Sequence, residues 1–373
     1  MTDPVAARVS ALDERLVETV GRILETELAA RRRELQTIAP ECVSLVDSLE
    51  AFLVGGKLLR PRFCFYGGLL ALGDEPTEDQ VERLARLGAA IELVQAAALI
   101  HDDVIDHSEL RRGRPAIHVA AAAAHRADGL DGDADDHGNA LAIVLGDLAL
   151  TWAEQSAAPA FAGDRASLAA QQEFARLRTE VMCGQHLDIL HQAGGFASPG
   201  GDEAAARAVI RWKTVPYTVQ RPVRMGAALM GAQAEMLEEL SAWAIDVGTA
   251  FQLRDDLLSL VAEEEDTGKP AAGDILEGKR TVLLARTRDR ADAAGNALLD
   301  RTVGRADATA DDVRAVHQLM VDSGAAASVI AEVRELALRA QAHLSAVAAP
   351  KSLGAAGLSA IAQRALEIDD TRI

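Results

Sequence analysis

Two short acidic clusters carry the residue types best suited to chemistry in this 373-residue chain. The first reads Leu99-Ile100-His101-Asp102-Asp103-Val104-Ile105-Asp106. On a helix, positions i and i+4 share one face about 6 Å apart along the axis, so Asp102 and Asp106 project together while Asp103 turns away by about 100°. Two like charges side by side are costly to bury unless a cation neutralises them. Magnesium meets that need, because it keeps several waters and takes one or two carboxylates together with phosphate oxygens. The preceding stretch, Ala89 to Ile100, is apolar apart from Glu92 and Gln95, which places this helix in the core. The second cluster, Phe251-Gln252-Leu253-Arg254-Asp255-Asp256-Leu257-Leu258, sets another carboxylate pair on an apolar helix. Two acidic helix ends facing one cavity would make a multi-metal diphosphate site that neither makes alone.

A metal-bound diphosphate still carries charge, and a second anionic substrate needs cations of its own. Gly55-Gly56-Lys57-Leu58-Leu59-Arg60-Pro61 puts Lys57 and Arg60 three apart after two glycines, so both can point at one anion. Shortly after Asp106 come Arg111 and Arg112, whose guanidinium forks match phosphate oxygens. Lys213-Thr214, Gly268-Lys269-Pro270 and Lys279-Arg280-Thr281 follow. The whole chain has 38 Lys+Arg against 57 Asp+Glu, a net charge of −19. That excess excludes a general nucleic-acid binder, which needs a net surplus of clustered cations. Basic residues recurring beside glycine breaks in so acidic a chain point to a local site.

The elements that must position these groups are helices. Apolar residues recur at three- and four-residue spacing from Val9 to Leu35, Val81 to Val104, Leu168 to Leu190 and Met236 to Val261, and alternating β-branched runs are scarce. No second composition class appears, so one large helical domain over residues 1–373 is expected. The segment 126–139, with Asp128, Asp131, Asp133, Asp135 and Asp136 among glycines, reads as a solvated loop. Cys42, Cys64 and Cys183 stand apart without zinc or disulfide spacing, as in a reducing cytosol. The N-terminus lacks a signal-peptide pattern and no long uncharged apolar run occurs, so a cytoplasmic protein without a membrane span is expected.

In order, these motifs resemble those of the trans-isoprenyl diphosphate synthases, the polyprenyl synthetase family. The likeness runs from Gly55 to Thr281 through GGKLLRP, LIHDDVIDHSELRRGRP, Gly146-Asp147, GQHLD at Gly184 to Asp188, Lys213-Thr214, FQLRDD, GKP and GKRT. It implies an all-α bundle around a deep central cavity, usually a homodimer. It also implies that Lys57, Arg60, Gln95 and Arg112 hold the diphosphate of isopentenyl diphosphate. Asp102, Asp106 and Asp255 would bind magnesium, three ions with substrate bound, on an allylic diphosphate surrounded by Arg111, Lys213, Thr214, Gln252, Lys269 and Lys279. Asp103 and Asp256 are the flanking acids, counted with Asp102, Asp106, Asp255 and Lys213 in the catalytic set. Gln95 stands where many relatives carry His, and Ser259 where many carry a third Asp.

The implied reaction ionises the allylic C–O bond, joins the cation to the double bond of isopentenyl diphosphate and loses a proton, with the released diphosphate as acceptor. An apolar wall protects the cation from water. His101 and His107 read as structural neighbours of the first motif. Below Asp102 lie Ala98 and Ala97, then Val94; short-product relatives carry aromatic residues at the alanine places. An open floor implies a product longer than C15, with C20 geranylgeranyl diphosphate the best single expectation. A C15 or longer polyprenyl product, a class I terpene cyclase and a non-catalytic subunit of a heteromeric synthase are the alternatives. The only 3% aromatic content agrees with an unplugged pocket.

Overall fold

The apolar periodicities fold as helices. The computed structural model describes residues 4–163, 165–196, 200–258, 273–305, 307–348 and 352–367. In chain order the helices are α1 (Pro4–Ile38), α2 (Val43–Leu53), α3 (Leu59–Leu72), α4 (Glu78–Ile105), α5 (Ile117–Ala127), α6 (Ala134–Ala157), α7 (Arg165–Gln192), α8 (Gly201–Val209), α9 (Arg221–Leu229) and α10 (Ala234–Leu258). After them come α11 (Gly273–Leu276), α12 (Val282–Arg290), α13 (Ala293–Thr302), α14 (Ala310–Asp322), α15 (Ala325–Val347) and α16 (Leu353–Leu366). Among the described residues the one sheet is a two-stranded hairpin, β1 (Leu110–Arg111) with β2 (Arg114–Pro115). The all-α expectation holds.

The chain gathers into two compact units. The first comprises Met1–Phe174, Pro222–Leu237 and Ala348–Leu358. Its axis is α4, begun by a capping box in which Thr77 Oγ1 accepts from the Gln80 N–H at 3.3 Å and Gln80 Oε1 accepts from the Thr77 N–H at 2.8 Å. Ile91, Val94 and Ala97 of α4 are fully buried, with Leu16 and Val20 of α1, Phe63 and Phe65 of α3, and Leu145 and Ala149 of α6. Each large apolar side chain so removed from water contributes about 1.5–3 kcal/mol. By length and composition α4 could cross a membrane, but most of its apolar stretch is buried inside the protein, as in a core helix. The acidic segment 126–139, expected as a loop, is largely helical. Its loop spans only residues 128–133, because Asp133 accepts from the Asp135 and Asp136 N–H groups and caps α6, and those two acids sit at the helix's positive end.

The second unit comprises Ala175–Arg221, Glu238–Val347 and Ser359–Ile373. Val215, Leu253, Leu257, Val282, Leu283, Val316 and Val329 form its apolar centre. Arg207 bridges Glu203 (2.9 Å) and Glu332 (2.8 Å), and Arg286 reaches the same two carboxylates. Between α8 and α9 the chain is wound as two π-helical segments, Ile210–Thr214 and Pro216–Gln220. A π turn carries an extra residue and is common at functional sites.

Candidate active site

In the first unit, Asp102 lies in the last turn of α4 and Asp106 caps its C-terminus, where the Asp106 N–H donates to the Asp102 carbonyl at 2.8 Å. Both are half-buried. A helix C-terminus carries negative partial charge, so two carboxylates placed there call for a cation. Asp103 points the other way, 1% exposed, and is gripped by Arg111, whose Nε donates to Oδ1 at 2.9 Å and to Oδ2 at 3.2 Å. Burial by itself would lower the Arg111 pKa, but hydrogen bonding and charge from Asp103, then the charges of Asp102 and Asp106, hold it above its ordinary value. Arg111 Nη2 also lies 4.0 Å from Asp102 Oδ2. His101 packs against α6: its Nε2 faces the Ile143 carbonyl at 3.2 Å, and a Cβ at Gly146 would fall 2.1 Å from that nitrogen. The Gly146-Asp147 step thus leaves room for His101 beside the motif.

The RRGRP stretch is a hairpin, with Leu110 opposite Pro115 and Arg111 opposite Arg114. Its two loop residues, Arg112 and Gly113, have φ of 54° and 71°. Two positive φ values are what a two-residue hairpin of matching twist requires. Three described non-glycine residues adopt a left-handed φ: Leu58, His107 and Arg112. They lie beside Lys57, Asp106 and Arg111 respectively, so this sparsely populated conformation falls on the motifs, as is usual at functional sites. Arg112 reaches back over the Phe52 ring (5.9 Å) and donates to the Phe52 and Val54 carbonyls at 3.2 and 3.3 Å, just ahead of the Gly55-Gly56 turn. A Cβ on Gly56 would meet Glu92 Oε2 at 3.5 Å and Arg112 Nη1 at 3.8 Å. Lys57 is exposed, Arg60 half-buried on α3, and Gln95 half-buried one turn after Glu92 on α4. Ala97 and Val94 are fully buried; Ala98, one turn before Asp102, is half-buried.

In the second unit the π turns carry Lys213 and Thr214. A Cβ on Gly184 of α7 would sit 2.4 Å from Lys213 Cα, and one on Gly248 of α10 would sit 3.1 Å from Val215 Cα. Glycines at both helices therefore let the wide turn settle between them. Lys213 Nζ donates to Asp188 Oδ2 at 2.6 Å. Thr214 Oγ1 donates to Gln252 Oε1 at 2.7 Å, and Gln252 Nε2 donates to Asp256 Oδ1 at 2.7 Å. Asp256 is buried while its neighbour Asp255 is exposed. Lys279 pairs with Glu277 at 2.7 Å. Lys269 and Ser259 lie outside the described residues.

Sequence reasoning assigned no role to Asp188 or Glu92. Asp188 falls in the GQHLD motif four residues after Gly184, the spacing that puts both toward one neighbour. Glu92 is a lone acid in an apolar helical run, which is itself a signal. No group of three or more His, Cys, Asp or Glu side chains is drawn together among the described residues as a self-sufficient metal cage. Two carboxylates at the negative end of α4 suit instead a hard cation completed by phosphate oxygens and water.

A family model described as polyprenyl synthetase matches residues 43–320. The chain belongs to the polyprenyl synthetase family. It is 34% identical to a geranylgeranyl pyrophosphate synthase from Corynebacterium glutamicum, solved with isoprenyl diphosphate and magnesium; the likeness covers 95% of this chain and 98% of that one, with a TM-score of 0.88. It is 29% identical over 296 residues to a geranylfarnesyl diphosphate synthase of Natronomonas pharaonis, 76% of this chain and 77% of that protein. It is 30% identical over 275 residues to heptaprenyl diphosphate synthase component 2 of Geobacillus stearothermophilus, 73% and 76% of the respective chains. This polyprenyl synthetase is a magnesium-dependent trans-prenyltransferase that condenses isopentenyl diphosphate with an allylic diphosphate.

Proposed function

We propose that the enzyme makes geranylgeranyl diphosphate (C20), acting as a cytosolic homodimer. Lys57, Arg60, Gln95 and Arg112 hold isopentenyl diphosphate. Arg111, Lys213, Thr214, Gln252, Lys269 and Lys279 hold the allylic diphosphate. Asp102, Asp106 and Asp255 ligate magnesium, three ions when substrate is bound. The bound metal offsets the negative charge that grows on the departing diphosphate. Lys213 and Arg111 each supply positive charge for a diphosphate, and their ion pairs with Asp188 and Asp103 keep each side chain in place before substrate arrives. The apolar wall below Asp102 keeps water from the allylic cation, and the released diphosphate takes the proton.

The observation that carries the C20 reading is Ala98, half-buried one helical turn below Asp102, with small or aliphatic Ala97 and Val94 around it and no aromatic ring at either alanine place. The homodimer reading is supported by Ile143 and Val144, which stand about half exposed side by side on α6, an apolar surface that a second copy would cover. Likeness to a numbered synthase component favours a second reading, a subunit inactive alone. Product chromatography after incubating the purified enzyme with magnesium, isopentenyl diphosphate and an allylic primer decides among these. C20 from the wild type and C15 from Ala98→Phe are expected. A wild type that stops at C15 with no change in the variant contradicts the open floor, a hydrocarbon product indicates a cyclase, and no condensation indicates the subunit.

A further inference from the structure

The Gly55-Gly56 turn, Arg60 and the hairpin arginine Arg112 surround a residue that the reaction as described does not use. Glu92 sits in mid-α4, 5% exposed. Its Oε2 lies directly under Gly56, where a Cβ would come within 3.5 Å of it and within 3.8 Å of Arg112 Nη1. Its Oε1 is buried and has no hydrogen-bond partner. A carboxylate oxygen left unpaired in the interior is costly, and a structural role would be served as well by an apolar or amide side chain. The charged groups acting on Glu92 are Arg60 and Arg62 of α3 and Arg112 of the hairpin. Arg62 is itself held by Asp13 of α1, at 2.8 and 3.0 Å.

We propose that Glu92 is the resident counter-ion of the isopentenyl diphosphate pocket, a buried carboxylate that balances Arg60 and Arg112 in the empty enzyme and takes up a proton from solvent as the diphosphate arrives. The proposal rests on Lys57, Arg60 and Arg112 being that pocket. Ionised Glu92 leaves those three cations with two net positive charges; protonated Glu92 leaves all three, to meet a fully ionised diphosphate monoester of about three negative charges. Burial pushes the Glu92 carboxyl up to about 7, with Arg60, Arg112 and Arg62 pulling it back. A diphosphate seated on those arginines cancels that pull and adds repulsion, so it drives the carboxyl further up. Because the occupied pocket then binds more protons than the empty one, affinity is full below pH 7 and is lost as pH rises above it. Once protonated, Oε1 becomes a donor in a pocket newly supplied with acceptor oxygens. Glu92 touches no reacting atom; it is a positioning residue that acts through the arginines.

Titration calorimetry of isopentenyl diphosphate alone, at pH 8 in two buffers of different ionisation heat, reads the proton directly. Wild type is expected to take up most of one proton per ligand, and Glu92→Gln to take up correspondingly fewer. In turnover assays between pH 7 and pH 9, KM for isopentenyl diphosphate should rise in wild type relative to Glu92→Gln, by at most about tenfold per pH unit, with the pH-dependent difference in KM and not in kcat. Equal proton uptake by the two proteins overturns the proposal. Should Glu92→Gln fail to fold, wild type alone decides: uptake that grows above neutral pH supports the proposal, and none between pH 6 and 9 overturns it. Lys57→Ala separates the underlying reading. If it binds isopentenyl diphosphate as tightly as wild type, the pocket is misplaced and the proposal falls with it; if it binds weakly while Glu92→Gln matches wild type in proton uptake, only the role of Glu92 falls.

Discussion

The two aspartate pairs divide their labour in the same way but by different physics. In each, the first residue is the more accessible, Asp102 at the end of α4 and Asp255 on α10, and the second, Asp103 or Asp256, is buried and held by the protein. Asp103 is held by a guanidinium, in an ion pair with Arg111 that is itself mostly buried. Asp256 is held by the neutral amide of Gln252, which Thr214 engages in turn. A buried charge pair is expensive to break, because the surviving partner is left in the interior. The Thr214 hydroxyl and the Gln252 amide are neutral, so removing the hydroxyl strands no opposite charge. The first motif is therefore the stiffer construction, and the second leans on close backbone packing around the π turns.

The largest stability effect should come from Arg111→Ala, which removes the guanidinium paired with buried Asp103 and should cost about 3–5 kcal/mol. Chemical denaturation would show a lower midpoint, and the double variant Arg111→Ala/Asp103→Asn should recover much of the loss. Absence of recovery would mean the two charges are not coupled. Next comes Gly184→Ala, where the new Cβ would meet the Lys213 backbone at 2.4 Å. Overpacking of this kind costs about 1–3 kcal/mol, and displacement of Lys213 should raise KM for the allylic diphosphate while leaving that for isopentenyl diphosphate nearly unchanged. Smallest is Thr214→Val, which removes the neutral hydroxyl donor to Gln252 at about 1 kcal/mol. A loss as large as that of Arg111→Ala would erase the contrast between the motifs.

Much of the first motif was legible in the sequence because α-helical geometry fixes it. The four-residue spacing put Asp102 and Asp106 on one face and turned Asp103 away, and the structure buries Asp103 accordingly. The second pair was legible as a pair, yet its division into exposed Asp255 and buried Asp256 needed the packing of α10. The hairpin was missed because a glycine after two arginines reads as a break, and nothing local announces that Arg112 adopts a positive φ. The π turns were invisible to periodicity, since one extra residue barely shifts the apolar pattern. The boundary of α6 was legible but unread: Asp133 followed by two acids is a helix start, and net acidity obscured it. Glu92 and Asp188 gain meaning only from neighbours distant in sequence, Arg112 and Lys213.

The central claim is that the accessible acids serve the reaction and the buried acids serve the framework. Its most direct test is diphosphate release at saturating magnesium by Asp102→Asn and Asp255→Asn, with thermal unfolding measured on the same preparations. The account predicts turnover lower by about 10²–10³-fold for each, with melting temperatures within about 1 °C of wild type, the shift expected of a loss below about 1 kcal/mol in a chain of this length. Near-normal turnover, or melting temperatures that fall as far as that of Arg111→Ala, would contradict it.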